Sequence, residues 1–168
     1  RTTDGGKTVS FVAWVAQADE GFVIMPASVR LSDSRILTAV RCRGGDGACW
    51  IDLHASDDNG ATWHHLARPV PDTGRGGNPP TLTRLHDGRL CITYGYRAEP
   101  YGIRARLSDD NGQTWSAPIV LRDDGGSHDL GYPRTIQRSD GKLVTVYYFN
   151  DRLGGEGYIA ATVWAPGS

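Results

Sequence analysis

Two acidic stretches are the first candidates for chemistry in this sequence. They are Ser56-Asp57-Asp58-Asn59-Gly60-Ala61-Thr62-Trp63 and Ser108-Asp109-Asp110-Asn111-Gly112-Gln113-Thr114-Trp115. Clustered aspartates with an asparagine suggest a calcium loop, but neither stretch has the glutamate that closes an EF-hand site. Turn chemistry explains the same residues: Asn and Gly tolerate positive φ, and Asp accepts hydrogen bonds from the backbone just ahead of it. The Thr and Trp that follow suit a strand, with Trp as a large buried side chain. Each stretch therefore reads as a self-braced hairpin turn, with calcium as a structural alternative and no cofactor implied. The adjacent pair His64-His65 lacks the spacing of metal ligands on one face. Cys42 and Cys49 flank Gly44-Gly45-Asp46-Gly47, where a disulfide across a hairpin and free buried thiols are both open readings.

The elements that carry these turns recur. Seven of the eight positions are identical between the two stretches, whose starts lie 52 residues apart, and Thr2-Thr3-Asp4-Gly5-Gly6-Lys7-Thr8-Val9 is a weaker copy starting 54 residues earlier. A second landmark gives the same period: turns centred on Asp33, Asp87 and Asp140 join pairs of apolar strands and are spaced by 54 and 53 residues. Further strands are expected over Trp50–Ala55, Trp63–Leu66, Gly102–Leu107, Trp115–Leu121 and Tyr158–Trp164. Four short antiparallel strands in about 50 residues match one blade of a β-propeller. No segment shows a 3.6-residue apolar period, so almost no helix is expected. The fold class is all-β, with about three blades near 26–77, 78–130 and 131–168. A strand at Phe11–Val15 is expected to complete the last blade. Three blades are too few to close a ring, so the sequence reads as half of a larger propeller, truncated at Arg1 or completed by a second copy.

The chain has 168 residues, enough for one domain with a real core. Its 18 basic and 19 acidic residues leave a net charge of −1, which argues against a general binder of nucleic acid or membrane surfaces. No apolar run approaches a transmembrane helix, and no leader pattern is read at Arg1.

The motif Ser-x-Asp-x-Gly-x-Thr-Trp at this period resembles the Asp-box of the sialidase superfamily, whose members are six-bladed β-propellers. The likeness covers nearly the whole chain. Gly126-Ser127-His128-Asp129-Leu130-Gly131-Tyr132-Pro133-Arg134-Thr135, leading into Ser139-Asp140-Gly141-Lys142, is similar to the last blade of sialidases. Tyr158–Trp164 resembles that family's C-terminal strand, which implies missing blades before Arg1. The resemblance is to the C-terminal half of bacterial sialidase-like proteins.

What the resemblance implies is a glycosidase acting on an acidic sugar. Sialidases clamp the substrate carboxylate with three arginines and use a Tyr as nucleophile, an exception to the two-carboxylate rule of retaining glycosidases. A neutral phenol approaches a carboxylate-bearing anomeric centre without charge repulsion. Carried over by position, Tyr132 is the nucleophile, and Arg41 and Arg97 belong to the clamp, where an arginine fork matches a carboxylate. Arg43, Asn78 and Arg134 flank the same strand ends and are candidates to line the channel mouth. His128-Asp129 precedes Tyr132 as a candidate base or a loop hydrogen bond. The sequence departs from the family pattern at Met25, where the glutamate that activates the Tyr would stand. Two alternatives follow: a non-catalytic carbohydrate-binding or scaffold propeller, and an enzyme acting on a uronic acid.

Overall fold

The computed structural model describes residues 1–167 and holds eleven strands and, among those residues, no helix. The strands are β1 (Phe22–Arg30), β2 (Ile36–Arg43), β3 (Cys49–Ser56), β4 (His64–Val70), β5 (Thr81–Arg84), β6 (Leu90–Tyr96), β7 (Gly102–Ser108), β8 (Ile119–Arg122), β9 (Gly131–Gln137), β10 (Leu143–Phe149) and β11 (Tyr158–Trp164). They form antiparallel sheets β1-β2-β3-β4, β5-β6-β7-β8 and β9-β10-β11. These are three consecutive blades, and their first strands β1, β5 and β9 lie side by side.

Alternation in the sequence places the core. Along β9 and β10 buried and more exposed positions alternate, as a sheet with one covered face requires. The blades pack face to face. Leu37, Ala39, Ile51, Leu53, Ala55 and Val70 of the first sheet close on Leu82, Leu90, Ile92 and Tyr94 of the second. Ile103 of the second sheet joins Leu130, Tyr147 and Phe149 at the third. Hydroxyls cross the second interface as well: Thr93 Oγ1 lies 2.8 Å from Thr135 Oγ1, which lies 3.0 Å from Thr145 Oγ1. Each is buried and partnered, as a polar group in a packed interface must be. The far face of the third sheet carries Ile136, Val146 and Val163, all exposed.

The acidic stretches are turns with a shared bonding scheme. In the first, Asp58 Oδ1 accepts from Ser56 Oγ (2.8 Å) and the Thr62 N–H (2.8 Å), and its Oδ2 accepts from Thr62 Oγ1 (2.6 Å). Asp110 takes the same bonds from Ser108, at 2.8 Å, and from Thr114, whose hydroxyl lies at 2.6 Å. Asp4 repeats the scheme with Thr2 and Thr8, so the weak third copy is the same device. Asn59 and Asn111 sit at φ 59° and 58°, followed by Gly60 and Gly112 at 88° and 89°, the left-handed pair the dipeptide favours. Threonine hydrogen bonds lead in holding Asp58 and Asp110, and the Thr8 N–H leads for Asp4; all three carboxyls are lowered to about 2.

One expectation changes, and one open reading is decided. Residues 11–15 form no strand. The segment runs into β1 at the first blade and lies beside Val23, Ile24 and Val40 of that sheet, with the second blade between it and β11. The third sheet therefore has three strands. Cys42 and Cys49 are free, as is Cys91. Cys42 stands opposite Trp50 in the register and Cys49 opposite Arg43, so the two thiols project from opposite faces of the hairpin and cannot meet.

Candidate functional site

The site is built where the first strands of the blades begin. Met25-Pro26, Pro79-Pro80 and Tyr132-Pro133 are equivalent dipeptides, with prolines spaced by 54 and 53 residues. Five of those six residues, with Arg134, line one cavity of about 290 Å³. Proline suits these places because Pro26 and Pro133 sit in breaks of the β1 and β9 pairing and Pro79-Pro80 lies just ahead of β5, so no ladder hydrogen bond is lost. Met25 and Tyr132 both adopt positive φ, 54° and 49°, and a register shift interrupts the strand pairing at each. A left-handed non-glycine residue is strained, and strain of this kind gathers at functional positions.

Tyr132 is half-exposed into the cavity and its hydroxyl has no protein partner among the described residues. Its ring centroid lies 5.7 Å from that of Tyr148 and 5.8 Å from the guanidinium carbon of Arg97. Arg97, just past β6, donates from Nε to the Leu130 carbonyl (3.0 Å) and from Nη2 to the Tyr148 hydroxyl (2.6 Å). Tyr148 in turn donates to Asp129 Oδ1 at 2.7 Å. Burial, followed by this hydrogen bond to Asp129, pushes the Tyr148 hydroxyl up to about 12, so it stays a proton donor at neutral pH. Asn150 Nδ2 donates to the Asp129 backbone carbonyl at 2.6 Å and fixes that loop from below.

The other candidates divide. Arg134 lines the cavity and donates to the Pro133 carbonyl at 3.0 Å. Arg41, on β2, donates to the Gly76 carbonyl and to Met25 Sδ, and its guanidinium lies 5.1 Å from the centre of the Phe22 ring. It reaches the cavity only through Met25. Arg43 is exposed at the end of β2 and borders a different cavity, with Trp50, Asp52 and Glu20. Asn78 is fully buried and does not line the channel mouth: its side-chain amide is used inside the protein. Among the described residues, neither Arg41 nor Arg97 pairs with a carboxylate. Arg97 thus keeps a cationic, planar set of donors beside two phenols. That arrangement can bind an anionic group through charge-assisted hydrogen bonds.

Tyr148 was not legible as a site residue. Its place next to Tyr147 reads as core, yet alternation along β10 buries Tyr147 and turns Tyr148 to Arg97. The useful signal was Asp129, two residues before Gly131 in the same loop.

A second polar cluster lies on the first blade's open face. Asp52 accepts from Trp50 Nε1 (2.6 Å) and Arg68 Nε (2.8 Å), with His65 Nε2 at 3.4 Å. Burial raises this carboxyl, but the Arg68 and Trp50 hydrogen bonds outweigh it and hold it below the usual range. Among the described residues, no His, Cys, Asp and Glu side chains group to hold a metal ion.

Three antiparallel blades with first strands side by side and a braced turn in two of them define a β-propeller architecture. Residues 1–145 match the family model described as the BNR repeat-like domain, and the chain belongs to that family. A protein of unknown function from Dyadobacter fermentans is similar, at 32% identity and a TM-score of 0.79 over 96% of this chain and 43% of that one. A GH93 α-L-arabinofuranosidase of Fusarium graminearum has the same fold at 20% identity and a TM-score of 0.65, over 95% of this chain and 51% of that one. An endo-arabinase from Bacteroides thetaiotaomicron does so at 15% and 0.66, over 92% and 62%. The chain thus spans 43% to 62% of the length of these three structures. No curated protein matches the chain.

Proposed function

We propose that this chain forms part of the sugar-binding face of a glycosidase-type propeller, and that its ligand is an acidic sugar such as a sialoside. The observation that carries the reading is the cluster of Tyr132, Arg97, Tyr148 and Asp129, of which Tyr132 also lines the cavity between the first strands. Arg97 meets the sugar carboxylate. Tyr132, with an unengaged hydroxyl, stands at the reacting carbon as nucleophile. Arg134 borders the same space, and Arg41 extends the positive surface beyond Met25. The glycosidases of similar fold support the general class, while the acidic specificity rests on the arginines.

A second reading, a carbohydrate-binding propeller without catalysis, is favoured by one residue. Met25 supplies a thioether where a base for the Tyr132 proton would be needed, and it contacts Arg41. The test is turnover of aryl sialosides and aryl glucuronides by the longest available form of the protein, with Tyr132→Phe alongside. Loss of turnover by at least about 100-fold in the variant supports the nucleophile. Sugar binding without turnover in the parent favours the second reading. Absence of binding to either sugar refutes both.

A further inference from the structure

We infer that Asn78 is a positioning residue that fixes Tyr132 and Arg97 relative to one another across the junction of the second and third blades. The inference concerns the same site as the proposed function, but its geometric part stands without any sugar.

Asn78 precedes the second blade and is completely buried. Its Oδ1 accepts two backbone N–H groups, from Gly95 at 3.0 Å and from Tyr132 at 3.1 Å. Its Nδ2 donates to the Leu130 carbonyl at 3.0 Å. That carbonyl also accepts from Arg97 Nε at 3.0 Å. One amide therefore holds the end of β6, the backbone of Tyr132 and, through a shared acceptor, the Arg97 side chain.

The surroundings are shaped to the amide. A Cβ on Gly131 would meet Asn78 Nδ2 at 2.2 Å, and one on Gly95 would meet its Cγ at 2.8 Å. Gly131 also sits at φ 118°, a conformation L side chains rarely adopt. Two glycines thus open a slot that only a flat, uncharged group with both donor and acceptor fills. A leucine has the size but no hydrogen bonds.

Comparison within the chain separates two causes. Met25 takes the same left-handed conformation as Tyr132 at the equivalent place in the first blade, where Ile24 precedes it as Gly131 precedes Tyr132 and, among the described residues, no asparagine side chain is bonded to it. The left-handed turn belongs to the break in pairing of the blade's first strand. What Asn78 adds is the tie between blades, which aims the Tyr132 ring at Arg97. Removing it leaves the Tyr132 N–H without its acceptor and lets the third blade's entry move against the second.

The experiment places 3-fluorotyrosine singly at Tyr132 and, as a control on β11, at Tyr158, and records 19F spectra of the parent, Asn78→Ala and Asn78→Asp. In Asn78→Ala the Tyr132 resonance shifts or splits, while that of Tyr158 stays in place. Asn78→Asp keeps the shape and the acceptor for the Tyr132 N–H, so its Tyr132 resonance lies nearer the parent's. An unchanged Tyr132 resonance in Asn78→Ala overturns the inference; so does equal movement of both reporters, which marks general loosening. If Asn78→Ala does not fold, Asn78→Leu, which keeps the size without the hydrogen bonds, decides: a Tyr132 shift with a static Tyr158 supports positioning, and no shift overturns it. Titration with sialic acid separates this from the functional reading. Affinity about tenfold weaker in Asn78→Ala supports both. A shifted resonance with no sugar binding in the parent leaves positioning intact and refutes the sugar.

Discussion

Replacing Gly112 by alanine, with Gly60→Ala as its partner, tests whether the second braced turn locks the first two blades together. Both glycines occupy the same place in equivalent turns, with φ of 89° and 88°. The left-handed conformation costs an alanine about 1–2 kcal/mol at either site. The surroundings differ. A Cβ on Gly60 meets nothing closer than Trp63 at 3.8 Å, whereas a Cβ on Gly112 meets Leu53 Cδ2 at 2.6 Å and both Leu37 and Leu90 at 3.5 Å. Leu53 has no direction in which to yield, since it is fully buried in the core shared by the two blades. Overpacking such a site adds about 1–3 kcal/mol. Gly60→Ala should therefore lower stability by about 1–2 kcal/mol and Gly112→Ala by about 2–5 kcal/mol. Urea unfolding followed by tryptophan fluorescence reads both, as midpoint shifts at constant slope. Equal losses in the two variants would refute the claim that this turn is wedged between blades.

Acid should act on the turns in a defined window. The carboxyls of Asp4, Asp58 and Asp110 are lowered from 3.8 to about 2 by their hydrogen bonds, so the folded form binds protons less readily than the unfolded one. Their contribution to stability is present above pH 3.8 and is lost as pH falls through about 2. Carboxyl-carbon NMR titration should find these three still ionised at pH 3, and midpoints near 4 would contradict the bonding scheme. The thiols give a third check. Burial leads in raising all three, with Cys42 and Cys91 pushed up to about 12. A disulfide reagent at pH 8 should find no reactive thiol in the native protein and three after unfolding; a native reading of one or more would contradict this burial.

The repeat was legible because its turns carry their own bonds. Asp58 and Thr62, or Asp110 and Thr114, lie four residues apart, and local sequence dictates local structure there. The turns at Asp87 and Asp140 were equally plain from the Asp-Gly pair, with Gly88 and Gly141 at φ 92° and 83°. Contacts between blades were harder to read. The spacing of Pro26, Pro80 and Pro133 marks the cavity rim, yet it gains meaning only once β1, β5 and β9 are seen side by side. Tyr148 meets Arg97 from 51 residues away, and Asn78 meets Tyr132 from 54. No periodicity encodes such a meeting. Phe11–Val15 is a short apolar run of the kind a strand uses, but such a run alone supplies no partner, and here none pairs with it.

The braced turns also bear on the order of folding. Each completes its side-chain bonds within seven residues, between the opening Ser or Thr and the Thr that follows the Gly. Closure of so short a loop takes well under a microsecond, and a hairpin built on it forms in microseconds. The joints between blades, such as Asn78 with Tyr132, wait on the collapse of about 50 intervening residues, a slower step that meets a larger loop-closure entropy. The chain is thus wired to make its hairpins first and its site last, so Tyr132 reaches Arg97 only after neighbouring blades have docked.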